Sequence, residues 1–280
     1  LLFGNGSASY LSRLLGKGDK EKANQVASTA LYSSITVGAI MIILSIIFLR
    51  PILKFLGATD SIMPYAITYA SIYIISCIFN VFNVTMNNIV TSEGAAKTTM
   101  CALMTGAILN IGLDPVFIYI LNMGVAGAAI ATAISQIVST LVYLTFILRK
   151  KSTYHFRIRN FSFTKDIMSE IFKIGIPTLV FQILTSLSIS FVNTKSMVYG
   201  DSVIAGMGAV TRIVSMGSLM VFGFIKGFQP IAGYSYGAKK FYRLQEAIKT
   251  SILWSTIFCV IYGLILAIFS KGIISQFTKM

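Results

Sequence analysis

Seven apolar runs follow one another along this chain, each long enough to cross a bilayer. They occupy residues 24–49, 62–90, 98–121, 125–148, 167–193, 203–236 and 244–269, and residues 1–15 read as the tail of an eighth. A spanning helix needs about 20 apolar residues, and a backbone inside lipid must satisfy its own hydrogen bonds. Short polar or charged turns separate the runs, and no strand-like alternation is present, so the sequence predicts an all-α polytopic membrane protein and argues against a β-barrel. Composition agrees: 55% of the 280 residues are hydrophobic and 11% are charged, against roughly 25% charged in soluble domains.

Several classes of chemistry drop out at once. The single histidine, His155, lies in a basic stretch, and Cys77, Cys101 and Cys259 are isolated in apolar runs without metal or redox spacing. A membrane-embedded enzyme would lack the His, Cys and carboxylate constellations it needs, and no cofactor is expected. The net charge of +14 reads as a topology signal, with no nucleic-acid partner implied. Counted over alternate loops, 16 of the 23 basic residues fall on one side, in loops 13–22, 91–97, 149–173 and 237–249. By the positive-inside rule these loops are expected in the cytoplasm of a plasma-membrane protein. The basic loop 149–173 could also touch anionic lipid.

A shift of 221 residues aligns two segments without a gap. Phe3, Gly6 and Gly16 fall on Phe224, Gly227 and Gly237, and nine of the 54 positions between Phe3 and Leu56 are identical. Six spans separate the copies, so both cross in the same sense, which predicts two bundles related by an axis along the membrane normal. On this reading the chain is an internal piece, the tail of helix 2 through helix 9, of a parent with two six-helix bundles. Residues 1–153 would form part of the N-terminal lobe, 154–166 a cytoplasmic linker, and 167–280 part of the C-terminal lobe. A monomer is expected.

Polar groups inside the spans carry the functional reading. A charge at the bilayer centre costs about 2.5–3.5 kcal/mol on insertion scales, and Asp114 is the only carboxylate deep within a span. Asn110 precedes it by four residues on the same helical face. Pro115 cannot donate to the carbonyl of Ile111, which leaves an acceptor free. Across the turn 122–124, Thr132 is expected at the depth of Asp114, and Gln136 at that of Asn110. These oxygens suit Na⁺ or a proton better than a soft metal; plain interhelical hydrogen bonding is the competing reading, strongest for Thr132 and Gln136. Asn80, Asn83 and Asn87 form one further stripe, and Gln182, Ser186, Ser190 and Asn193 another; each could line a wet cavity or simply pack helices. Arg212 and Lys226 lie within a span and are cavity candidates, whereas Glu93, with Gly94 and Lys97, reads as a solvated helix end.

Four segments together resemble the MATE family of multidrug and toxin extrusion transporters: GNGSASYLSRLLGKGDKEKA (4–23), NIGLDPVFI (110–118), GVAGAAIATAISQ (124–136) and GFQPIAGYSYGAKK (227–240). The resemblance covers essentially the whole chain in order. It implies two six-helix bundles forming a V around a central cavity, and export of organic cations or drugs in exchange for Na⁺ or H⁺. It also implies a coupling-cation site in the N-terminal lobe, carried onto Asn110, Asp114 and Thr132. Asn193 matches a repeat-related position with an amide in place of an acid, and no carboxylate lies between Ile171 and Val198, a departure from members with an acid there. A flippase for lipid-linked glycans or related amphiphiles is the alternative, with Arg212 and Lys226 meeting phosphates.

Overall fold

The computed structural model describes residues 2–55, 62–196 and 201–278. They form helices α1 (Leu2–Lys17), α2 (Lys20–Ile47), α3 (Leu49–Phe55), α4 (Met63–Ser92), α5 (Ala96–Pro115), α6 (Gly124–Leu148), α7 (Lys165–Ser196), α8 (Asp201–Gly237) and α9 (Phe241–Thr278). No strand occurs among the described residues. Seven of these helices are long and apolar enough to cross a membrane, and their ranges follow the seven runs of the sequence. The long apolar side chains of α9 are exposed, as expected where lipid rather than protein is the solvent.

Local chemistry sets the helix ends. Asp19 caps α2, its carboxylate accepting from the backbone N–H of Lys22 at 3.0 Å. Gly18 (φ 80°) and Gly94 (φ 84°) take the left-handed conformation that the tight turns before α2 and α5 require. After Pro115 the helix widens into a π turn over Val116–Ile120, with the Leu121 N–H reaching back to the Val116 carbonyl at 2.9 Å. Proline lacks the amide that would keep the ladder in α register, so the expected break at Ile111 becomes a local change of winding.

α5 and α6 form an antiparallel hairpin whose register is visible in two close approaches. A Cβ on Gly106 would strike the Ser139 hydroxyl, and one on Gly127 would sit 2.7 Å from the Phe117 carbonyl. These pairings centre on the turn near residues 122–123, so Asp114 and Thr132 share one depth, as the sequence predicts.

The N-terminal helix α1 sits centrally, packed against α2, α4, α7 and α8. It runs antiparallel to α7, where Gly6 abuts the Ile171 carbonyl and Gly175 that of Leu2. It runs parallel to α8. There Gly16 abuts the Tyr234 carbonyl, Gly237 abuts that of Arg13, and a Cβ on Gly233 would lie 2.6 Å from the Ser12 Cβ. Under the 221-residue shift Gly16 becomes Gly237, Arg13 becomes Tyr234 and Ser12 becomes Gly233. The contacts therefore exchange with one another, which places a local pseudo-two-fold axis between α1 and α8. Parallel crossing is what an axis along the membrane normal demands.

The segment joining α6 to α7 is strapped to the helix ends rather than free. Ser28 donates to the His155 carbonyl at 3.3 Å, and the Ser162 N–H donates to Thr29 Oγ1 at 3.1 Å. Tyr154 is buried, with its hydroxyl 3.0 Å from that of Ser92. Arg13 of α1 donates to Glu170 of α7 at 2.9 Å, and Lys173 joins the same carboxylate at 2.6 Å.

Candidate functional site

Two polar centres stand within the spans. The first is on α5. The Asn110 amide donates to the Asp114 carboxylate at 3.2 Å, both side chains being half-buried. This is the i, i+4 pairing expected from the sequence, and the π turn begins one residue beyond Pro115. The Thr132 hydroxyl, level with Asp114 on α6, donates to the Ala128 carbonyl of its own helix at 3.0 Å. With its one proton spent there, Thr132 can offer the Asp114 side only a lone pair.

For Gln136 the interhelical reading is the one the structure shows. Its Oε1 accepts from Asn83 of α4 at 2.9 Å, as does its backbone carbonyl. The side chain thus faces α4 and leaves the Asn110–Asp114 pair. An amide at that depth can turn to either neighbour, and the buried Asn83 offers two donors that need acceptors.

The second centre is built around that contact. Thr140 Oγ1 lies 3.0 Å from Asn83 Oδ1 and 2.9 Å from the Gln136 carbonyl. One turn along α4, the Asn87 amide lies 3.5 Å from the hydroxyl of Tyr143, a fully buried tyrosine. The amide oxygen of Asn87 accepts from Lys226 Nζ of α8 at 3.4 Å. Asn83, Asn87, Gln136 and Lys226, with Asn80, Thr91 and Thr99, border a cavity of about 660 Å³ between α4–α6 on one side and α8 on the other, while Thr140 and Tyr143 lie behind its wall. The size falls within the range of small-molecule pockets. The stripe Asn80, Asn83 and Asn87 thus serves both readings the sequence left open: Asn83 and Asn87 are 7% exposed and fix helices, while the same amides border the cavity. Sequence reasoning missed Thr140 and Tyr143. Their spacing from Gln136, at i+4 and i+7 on α6, was the available signal.

The remaining candidates are dispersed. Gln182 and Arg212 are exposed on α7 and α8, and the Asn193 side chain lies outside the described residues. No group of three or more metal-ligating side chains occurs among the described residues.

Glu93 corrects the expectation of a solvated helix end. Its carboxylate accepts from the Ser152 hydroxyl at 3.1 Å and from the Thr153 backbone N–H at 2.6 Å. Burial raises its carboxyl above the ordinary range, opposed by these donors.

The MatE family model matches residues 1–116 and 176–280. The chain belongs to the MatE family. Among curated proteins, the MatE chain is 30% identical over 277 residues to the multidrug export protein MepA of Staphylococcus haemolyticus, covering 99% of this chain and 61% of that protein. It is 31% identical over 252 residues to MepA of Staphylococcus aureus, covering 90% and 56% respectively. Among solved structures, a MATE in the bent conformation superposes with a TM-score of 0.92 at 28% identity, covering 99% of this chain and 62% of that one. A Pyrococcus furiosus transporter, described as having a binding pocket of reversed polarity, gives 0.92 at 28% identity, covering 100% and 62%. The chain thus spans about three-fifths of the length of these relatives. The family and the seven apolar helices make it a multi-pass protein of the plasma membrane.

Proposed function

We propose that this MatE chain belongs to a secondary antiporter that exports small amphipathic molecules, organic cations among them, in exchange for Na⁺ or H⁺. The multidrug export proteins it is similar to support the export reading. The observation that carries the coupling is the Asn110–Asp114 pair at 3.2 Å on α5. An ionisable group within a span is expensive unless it works.

In this reading Asp114 takes up the coupling ion as Na⁺ or a proton. Asn110 holds the carboxylate in one rotamer through its amide donor. Thr132, level with Asp114, offers its oxygen lone pair to a bound cation. Exchange follows only if ion binding favours one arrangement of the lobes over another. The basic loops lie on the cytoplasmic side, so substrate enters from there and leaves outside.

The test is efflux of a fluorescent cation from vesicles carrying the full-length protein, driven separately by Na⁺ and by pH gradients. Asp114→Asn is expected to abolish gradient-driven export while leaving substrate binding in detergent intact. Undiminished coupled export by that variant would reject the assignment.

A further inference from the structure

Lys226 is the cavity's unexplained charge. It lies on α8, eleven residues before the helix ends at Gly237, about 16 Å along the axis at 1.5 Å per residue. A lysine stem is shorter than that distance, so the ammonium does not reach the helix end and stays beside the cavity that Lys226 borders.

Protein does little to neutralise it. Among the described residues, the ion pairs formed by lysine or arginine are those of Arg13 and Lys173 with Glu170. The partner of Lys226 is a neutral amide oxygen, Asn87 Oδ1, at 3.4 Å, long beside the 2.7–2.9 Å of a strong charge-assisted bond. An ammonium has three donors, and among the described residues Asn87 takes one of them, while the side chain borders the cavity. Asn87 is held for this purpose: its amide nitrogen faces Tyr143 and its oxygen faces the lysine. Neighbouring amides on Asn80, Asn83 and Gln136 and the hydroxyls of Thr91 and Thr99 add neutral polarity to the wall, and Lys226 is the one charged residue that lines it among the described residues. A bare organic cation would meet repulsion at this point, whereas an oxyanion would supply the missing counter-charge.

We propose that Lys226 is the anchor of a substrate subsite for an acidic oxygen group, a carboxylate or phosphate carried on an apolar body. The inference deepens the export reading and rests on it for the word substrate. It narrows the expectation of organic cations to molecules that carry an anionic group as well, zwitterions included.

The experiment uses a matched pair of dyes: a rhodamine bearing a free carboxylate, and its ethyl ester, which is a pure cation of nearly the same shape. Binding to the full-length protein in detergent is read by fluorescence anisotropy for wild type, Lys226→Met and Lys226→Arg. Lys226→Met is expected to weaken the carboxylate dye at least tenfold, leave the ester unchanged or tighter, and be rescued by Lys226→Arg. Equal effects on both dyes, or none on the carboxylate dye, overturn the proposal. Thermal melting of the unliganded variants identifies a merely misfolded Lys226→Met, in which case Lys226→Gln is scored on the same criterion. Competition by phosphatidylglycerol against phosphatidylcholine assigns the oxyanion to a lipid headgroup if it displaces the dye, and to a soluble substrate if it does not. Export is measured separately in vesicles: absence of transport of either dye by wild type counts against the export reading, while dye selectivity in detergent still decides the role of Lys226.

Discussion

Glu93 shows how a side chain at a helix boundary can carry a fold. It ends α4, yet its carboxylate gathers the loop after α6 through Ser152 and the Thr153 N–H. Because burial raises its carboxyl above the ordinary value of 4.5, the folded protein holds the proton more tightly than the unfolded chain. As pH rises, the unfolded chain ionises first, so stability falls between the ordinary value and the raised one and then levels off. Glu93→Gln removes that penalty and keeps an acceptor for Thr153. Its melting temperature in detergent is expected to gain on wild type as pH climbs from about 4 to about 7, in line with the linkage; a constant difference across that range would mean the carboxyl titrates as it would in water. None of this was visible in the sequence, where Glu93, Gly94 and Lys97 form an ordinary polar turn. The partners arrive from 59 and 60 residues away, and local spacing carries no information about them. Asn110 and Asp114 lie at the other extreme: both sit on one helix, so spacing alone gives the contact.

At the level of helices, the spans were legible because a bilayer imposes a length on each apolar run, and the α5–α6 register because the turn between them is short. What the sequence could not resolve is the direction a polar side chain takes when two helices are both in reach. Gln136 turned to Asn83 for this reason, and the hydrogen-bonded cluster that results ties α4 to α6. Thr140→Val leaves Asn83 Oδ1 without its hydroxyl donor, a loss of about 0.6–1.7 kcal/mol by the measured range for interhelical bonds in membranes. Reversible unfolding in mixed micelles is expected to show that loss; a larger one, approaching that of an orphaned group in a dry core, would mean this cluster excludes water. The α5–α6 contact relies on size instead. Gly106 has no room for a side chain against Ser139, so Gly106→Leu is expected to destabilise by about 1–3 kcal/mol, the usual cost of overpacking. Gly112, on the same helix with nothing within 4 Å, serves as the control: leucine there is expected to change the unfolding midpoint little.

For the molecule as a whole, the repeat is the organising fact. Paired glycines and a shared basic turn were weak evidence as sequence, since apolar helices often match by chance. They become strong evidence once Gly16 and Gly237 are found pressed against each other's helices at repeat-related carbonyls. The two helices touch backbone to backbone at the basic end, and the cavity bordered by Lys226 lies further along α8. If export requires this end to open and close, closure depends on a contact that any side chain would block, and symmetry makes the two glycines equivalent gatekeepers. Gly16→Leu and Gly237→Leu are therefore each expected to hold the basic end apart, by similar amounts. The double variant should add little, because one wedge already breaks the shared contact and neighbouring sites are not additive. Spin labels at Lys20 and Phe241, a repeat-related pair on α2 and α9, report the opening as a distance distribution. The expected result is a shift to longer distances in either single variant, matched by the double. A shift confined to one of the two glycines would mean that the local axis seen at this crossing does not govern how the end opens.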